Sequence, residues 1–252
     1  MSNLIKLNNV QELINGGKEY SEWSSNKIIS GIAPDFDKAI IKFDGISVCE
    51  VFGYQIASAI GVRVPRMQGF YSLETVGVIE TGRIGILIEF LEDWKRLSRY
   101  EAADLDSEMT AKALALCVFD RHEWGEFGLS KGEVYFVDLE RLLPIMMPGR
   151  LLNISDADCV KLLSEQESIY QRTLDIDEVI KEAESLGLKN EVEQEMKKLC
   201  ALSPDVYNRF LQINGHPLDT LLSQFAVHNF GYRLNSIAEW FELSTHLVPD
   251  WK

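Results

Sequence analysis

Residues 118–144 read VFDRHEWGEFGLSKGEVYFVDLERLLP. Asp120, Arg121, His122, Glu123 and Glu126 fall within seven positions, and a later apolar run ends on Asp138, followed by Glu140 and Arg141. The segment GEVYFVDL alternates and then turns apolar, which predicts a short strand ending at Asp138. Just upstream, SEMTAKALALCVFD has helical spacing, so Asp120 is expected in a loop between an apolar helix and that strand.

Working toward the N-terminus, NKIISGI and KAIIKFDG are β-branched runs separated by the turn signal APDFD. They predict a hairpin from Asn26 to Phe43, with Lys42 near the end of its second strand. Val51, Phe52, Gln55, Ile56, Ala59 and Ile60 then recur at helical spacing, with Glu50 in the first or second turn. Gly61 closes that helix and Pro65 prevents its restart. MQGFYSLE and RIGILIEFL read as two more strands, and EDWKRLSRYEAADLD as a polar connection with one short helix. After Ile154 nearly everything reads as helix. The expected fold class is α+β: a small antiparallel-sheet lobe with one helix over residues 1–91, and a mostly helical lobe over 92–252.

Composition narrows the function classes. The chain of 252 residues is 46% hydrophobic, enough for a sizeable core. No apolar run approaches the ~20 residues of a membrane span. Thirty-nine acidic against 25 basic residues give a net charge of −14, which argues against a broad nucleic-acid surface. A single nucleotide in a local pocket is still compatible with that charge. The start lacks a basic, then apolar, signal sequence, so a cytoplasmic protein is expected, with export into another cell left open. Cys49, Cys117, Cys159 and Cys200 form no CxxC pair and read as buried thiols of a reducing compartment. His216 and His228 have neither zinc-helix nor triad spacing and read as packing residues. DIDEVIKEAESLGLKNEVEQEMKK is charged on one face and reads as a solvated helix pair.

Four positions remain, in order: Lys42 on a strand, Glu50 on the next helix, Asp120 in a loop and Asp138 at a strand end. Singly, each has an ordinary reading: a hairpin lysine, a first-turn carboxylate favoured by the helix dipole, a helix C-terminus and a strand turn. As an ordered set they match what phosphoryl transfer from ATP requires. A lysine must reach the phosphates and a helix carboxylate can hold it. A carboxylate must orient the attacking hydroxyl. Mg²⁺, a hard cation, takes one or two further carboxylates together with the phosphates.

VFDRHEWGEFGL…VYFVDLERLLP resembles the catalytic segment of atypical kinases, the HipA-like kinases and the phosphatidylinositol 3-/4-kinase-like group. AIIKF followed by CEVFGYQIASAIGVRVP is similar to their nucleotide-lysine strand and the helix after it. The resemblance covers residues 26–144. It implies a two-lobed protein kinase-like fold that binds ATP with Mg²⁺ or Mn²⁺. It further implies that Lys42 contacts phosphates, Glu50 pairs with it, Asp120 is the catalytic aspartate and Asp138 the metal-binding one. Glu89, Phe90 and Leu91 in ILIEFLEDW would form the hinge beside adenine, mainly through backbone groups. His122 would support the catalytic loop and Arg121 would pair with Glu140 or bind a phosphate.

The sequence departs from that pattern in three places. The family's metal-binding Asn falls five positions after the catalytic Asp, and here that position is Gly125. Glu126 is the candidate second metal ligand, with Glu123 as the alternative. The strand-end motif reads DLE, so Glu140 stands where a glycine is usual, and SGIAPDFD is a poor match to a Gly-rich loop. The expected activity is γ-phosphate transfer to a hydroxyl, first of a protein Ser or Thr and second of a lipid or small alcohol. A protein substrate or regulatory partner is expected, without nucleic acid or membrane insertion. The rival expectations are a pseudokinase that binds without turnover, and transfer of AMP from the same fold.

Overall fold

The computed structural model describes residues 5–7, 29–33, 36–43, 46–76, 79–119, 125–139, 174–203 and 230–244. Its architecture is α+β, with a five-stranded sheet, a three-stranded sheet and helices. The first sheet has strand order β1-β4-β5-β3-β2. The hairpin legible in the β-branched runs is β2 (Ile29–Ala33) against β3 (Phe36–Phe43). A second, longer hairpin joins β4 (Met67–Val76) to β5 (Ile79–Glu89), and β5 also pairs with β3. These pairings are antiparallel, but β1 (Ile5–Leu7) adds to the β4 edge in parallel, so the sheet is not antiparallel throughout.

Helix α1 (Ile46–Ala59) follows β3 after two residues and rests against β5, β3 and β4. Gly53, Tyr54, Ile56 and Ala57 are buried, an i, i+1, i+3, i+4 stripe that turns one helix face to the core. Glu50 is on the same helix and is 0% exposed. It is therefore not the solvated first-turn carboxylate that dipole arguments alone would give.

The polar connection contains a short strand, β6 (Lys95–Leu97), and helix α2 (Arg99–Leu105). Ser98 and Glu101 make a reciprocal capping box that fixes where α2 begins. The Asp106 side chain then caps α3 (Ser107–Leu116) by accepting from the Met109 amide. A 3₁₀ turn over Cys117–Phe119 ends that helix. Strands β7 (Glu126–Ser130) and β8 (Glu133–Val137) complete the second sheet, in the order β6-β7-β8. Lys131 and Gly132, both at positive φ, form their two-residue turn.

The outer edge of β8 is covered by the chain leaving α1. The Phe136 amide donates to the Arg63 carbonyl at 3.0 Å, and Arg63 Nη1 donates to the Val134 carbonyl at 2.9 Å. Arg63 also meets the Asp106 carboxylate at 3.2 Å. One arginine thus ties the end of α1 to an otherwise open strand edge and to the cap of α3.

The charged segment after residue 174 forms α4 (Ile176–Ser185) and α5 (Lys189–Cys200). Val179, Ile180 and Ala183 of α4, with Val192, Met196 and Leu199 of α5, are buried; α3 packs on both helices. The expected charged face exists, and the opposite face is core. Residues 230–240 are helical and contribute Phe230, Leu234 and Ile237 to the same apolar cluster, which runs back to Tyr54 and Ile56 of α1. Cys117 and Cys200 are buried thiols, as expected, and burial pushes Cys200 up to about 11. Cys49 side-chain placement, Cys159, His216 and His228 lie outside the described residues. Among the described residues no helix is long and apolar enough to cross a membrane.

Candidate functional site

Of the residues singled out in the sequence, Asp120, Arg121, His122, Glu123 and Glu140 lie outside the described residues. Lys42 is described through its backbone: it lies on β3, directly opposite Ile86 of β5. Glu50, Glu89, Phe90, Leu91, Glu126 and Asp138 can be placed fully.

Glu50 and Asp138 are brought together by a residue that sequence reasoning did not single out. Glu50 and Tyr54 are four apart on α1, hence on one helix face. Tyr54 is 3% exposed. Its hydroxyl accepts from the backbone N–H of Asp138 at 3.3 Å, and the Glu50 charge lies close enough to act on it. Burial, reinforced by the neighbouring Glu50 charge, pushes the Tyr54 hydroxyl well above its ordinary value. The hydroxyl therefore keeps its proton. The result is a hydrogen bond from the strand end to the α1 face that also carries Glu50, between Tyr54 and Asp138, residues 84 apart in sequence.

Asp138 itself has φ 67°, in the left-handed region that few side chains adopt. The β8 ladder ends at Val137, and the chain turns sharply there. The turn exposes Asp138 and buries Leu139. Leu139 lies against α1 at Gly53: a Cβ there would stand 2.4 Å from the Leu139 carbonyl oxygen and 2.8 Å from its Cβ. Only a residue without a side chain permits this approach. Gly53 and Tyr54 are thus adjacent contacts of α1 with the strand end, one steric and one polar.

The metal-ligand expectations divide. Position 125, where the resemblance puts an Asn, has no space for any side chain. A Cβ on Gly125 would come within 2.6 Å of the Phe136 ring and 2.7 Å of the Val137 carbonyl. Glu126 is on β7, opposite Val137, and forms an ion pair with Arg96 of the neighbouring strand at 2.9 Å. Its carboxylate would have to leave Arg96 to reach a cation. Among the described residues, no group of three or more His, Cys, Asp or Glu is gathered to hold a metal. Mg²⁺ bound to a nucleotide needs only one or two protein carboxylates, with phosphate and water completing its shell. Asp138, an exposed carboxylate on a strand end, fits that requirement; Glu126 fits it only by exchanging its partner.

The segment proposed to face adenine is largely committed to other contacts. The Glu89 amide donates to the Arg66 carbonyl at 2.8 Å, and the Phe90 amide to the Lys38 carbonyl at 3.1 Å. The Glu89 side chain pairs with Arg66, and the Lys38 ammonium lies 3.7 Å from the centre of the Phe90 ring. Phe90 and Leu91 both lie past the end of β5 at Glu89.

A second unforeseen residue is Arg233. It is 2% exposed, donates to the carbonyl of Phe119 and lies 5.0 Å from the centre of that ring. Phe119 in turn packs on Phe230. Arg233 therefore anchors the residue immediately before Asp120. Arg233→Met keeps most of the volume and removes the donor. It should cost about 1–3 kcal/mol, the usual penalty for stranding a buried acceptor, read as a lowered urea midpoint at unchanged slope. The sequence signal is faint: an arginine among the apolar positions Phe230, Leu234 and Ile237 of FGYRLNSIA.

Comparison with family models, curated proteins and solved structures gives no match. The functional reading rests on the residues and their geometry.

Proposed function

We propose that the protein is an atypical kinase that transfers the γ-phosphate of ATP to a hydroxyl, with a two-lobed arrangement divided near residue 91. The observation that carries this reading is the contact of α1, one turn beyond the buried Glu50, with the strand end at Asp138 through the Tyr54 hydroxyl. The helix that buries Glu50 is thereby held against the strand end that exposes Asp138, the neighbourhood that the resemblance implies for the two carboxylates.

In this reading Lys42 extends from β3 toward the α- and β-phosphates. Glu50 would pair with the Lys42 ammonium, as the resemblance implies. Asp120 orients the attacking hydroxyl and accepts its proton. Asp138 is the carboxylate that would hold Mg²⁺, which would neutralise charge developing on the phosphates. The Leu91 backbone, past the end of β5, would meet the adenine edge. His122 and Arg121 support the loop. Most of the rate enhancement then comes from positioning and preorganised charge. A protein Ser or Thr is the first acceptor, a lipid or small alcohol the second. The charge of −14 disfavours docking on an anionic membrane.

One alternative has its own support. A binding protein without turnover would account for the lack of space at Gly125 and for the Glu126–Arg96 pair. Nucleotide titration with product analysis separates the readings. Saturating Mg·ATP, at 100 times Kd, should stabilise the fold by about 2.7 kcal/mol, roughly 5–10 °C in Tm for a chain of this size. ADP as product supports the kinase, pyrophosphate indicates AMP transfer, and binding with neither supports the non-catalytic protein. No stabilisation by ATP with or without Mg²⁺ would refute the nucleotide site.

A further inference from the structure

We propose that Tyr54 is a positioning residue whose hydroxyl holds the backbone of Asp138 in its metal-ready conformation and couples it to the placement of Glu50. The inference rests on the phosphotransfer reading and deepens it. A buried tyrosine ordinarily needs some partner for its hydroxyl, and any carbonyl would serve. The partner found here is more specific: the amide of a residue at φ 67°, reached from the helix that carries the fully buried Glu50 one turn back.

The left-handed turn at Asp138 takes its N–H out of the β8 ladder, which ends at Val137. That amide then requires an acceptor from elsewhere, and the Tyr54 oxygen supplies it at 3.3 Å. Next to it, the bare backbone at Gly53 lets Leu139 seat directly on α1. The two contacts clamp residues 138 and 139 onto the helix that carries Glu50. A shift of α1 would therefore disturb the conformation of Asp138, and a relaxation of Asp138 would loosen Glu50. Leu or Phe at position 54 would fill the core equally well, so apolar packing alone does not explain a tyrosine here.

Tyr54→Phe removes one oxygen and little volume, so the fold should persist, with Tm recording it. The test uses the full chain with Mn²⁺ and a non-hydrolysable ATP analogue. Manganese affinity, followed by water proton relaxation, should weaken about ten-fold, the consequence of losing one buried hydrogen bond that holds the ligand residue. Affinity for the analogue without metal should change less than about two-fold by the same reasoning, since no base or sugar contact is removed. The Asp138 amide should lose hydrogen-exchange protection relative to Phe136, whose amide is bonded to Arg63 instead. In turnover, the metal concentration for half-maximal rate should rise while the rate at saturating metal is largely retained. Wild-type manganese affinity together with wild-type protection at Asp138 would overturn the proposal and leave Tyr54 as a core residue. If the wild type binds neither manganese nor the analogue, the phosphotransfer reading falls. The exchange measurement then decides separately whether Tyr54 pins Asp138, and unchanged protection overturns that too.

Discussion

Asp138→Asn is expected to reduce γ-phosphate transfer by at least about 10³-fold, on the scale of removing a preorganised charge from a phosphoryl-transfer site. Its stability should stay near that of the wild type. The separation follows from the backbone. Asp138 stands at φ 67°, a conformation that Asn tolerates almost as well as Asp. Asp138→Ala should lose the same activity and, in addition, about 1 kcal/mol of stability, because an ordinary side chain without local hydrogen bonding is strained there. Asp138→Gly removes the carboxylate with no conformational penalty at that φ. If the aspartate were there only to make the turn, Gly and Asn would both be active. If its charge is what matters, all three variants are inactive, and only Ala is also less stable. Transfer rates against metal concentration, with urea melts of the same samples, read both quantities.

Gly53→Ala is expected to destabilise the fold and to silence the site together. Helix propensity alone favours Ala over Gly by about 1 kcal/mol in the interior of α1. The added Cβ, however, would lie 2.4 Å from the Leu139 carbonyl and 2.8 Å from the Leu139 Cβ, near backbone that has no flexible end to withdraw. Forced overpacking of this kind typically costs about 1–3 kcal/mol, and it should outweigh the propensity gain. Relief requires α1 to move away from residues 138–139. That motion lengthens the 3.3 Å bond between the Asp138 amide and Tyr54. Gly53→Ala should therefore lower the urea midpoint and abolish metal-dependent transfer. A variant more stable than the wild type would show that α1 and the strand end are not in contact as described.

The elements that carry the site were legible because their periodicity is strong. The β2–β3 hairpin, α1, the two long strands β4 and β5, α3 and β8 all fall where β-branched runs or apolar helical spacing put them. The placement of Lys42 on a strand, Glu50 on the next helix and Asp138 at a strand end follows from those patterns. The three-residue strands β1 and β6 are too short for any pattern to emerge. Strand β7 was hidden differently: EFGLS sits within a run of ionisable residues that draws attention as a loop. Placing it as a strand turns Glu126 toward Arg96, a pairing that depends on the register of β6 and cannot be read locally.

Tyr54 was missed for a related reason. Its spacing from Glu50 marks one helix face, but the significance of that face depends on what packs against it, and Asp138 lies 84 residues on. Gly53 and Gly125 are the same kind of case. In sequence they are two small residues; in the fold each is a place where another backbone comes within contact distance. The crowding at Gly125 is a steric reason why the Asn that the resemblance would place there has no room.

The most direct test of the central proposal is incubation of the full chain with γ-labelled ATP and Mg²⁺ or Mn²⁺, alone and with a cell extract, beside Asp138→Asn. The account predicts label on the protein itself or on an extract component, ADP as the co-product, and loss of both in the variant. Equal labelling by wild type and Asp138→Asn, or no label and no nucleotide binding by either, would contradict it.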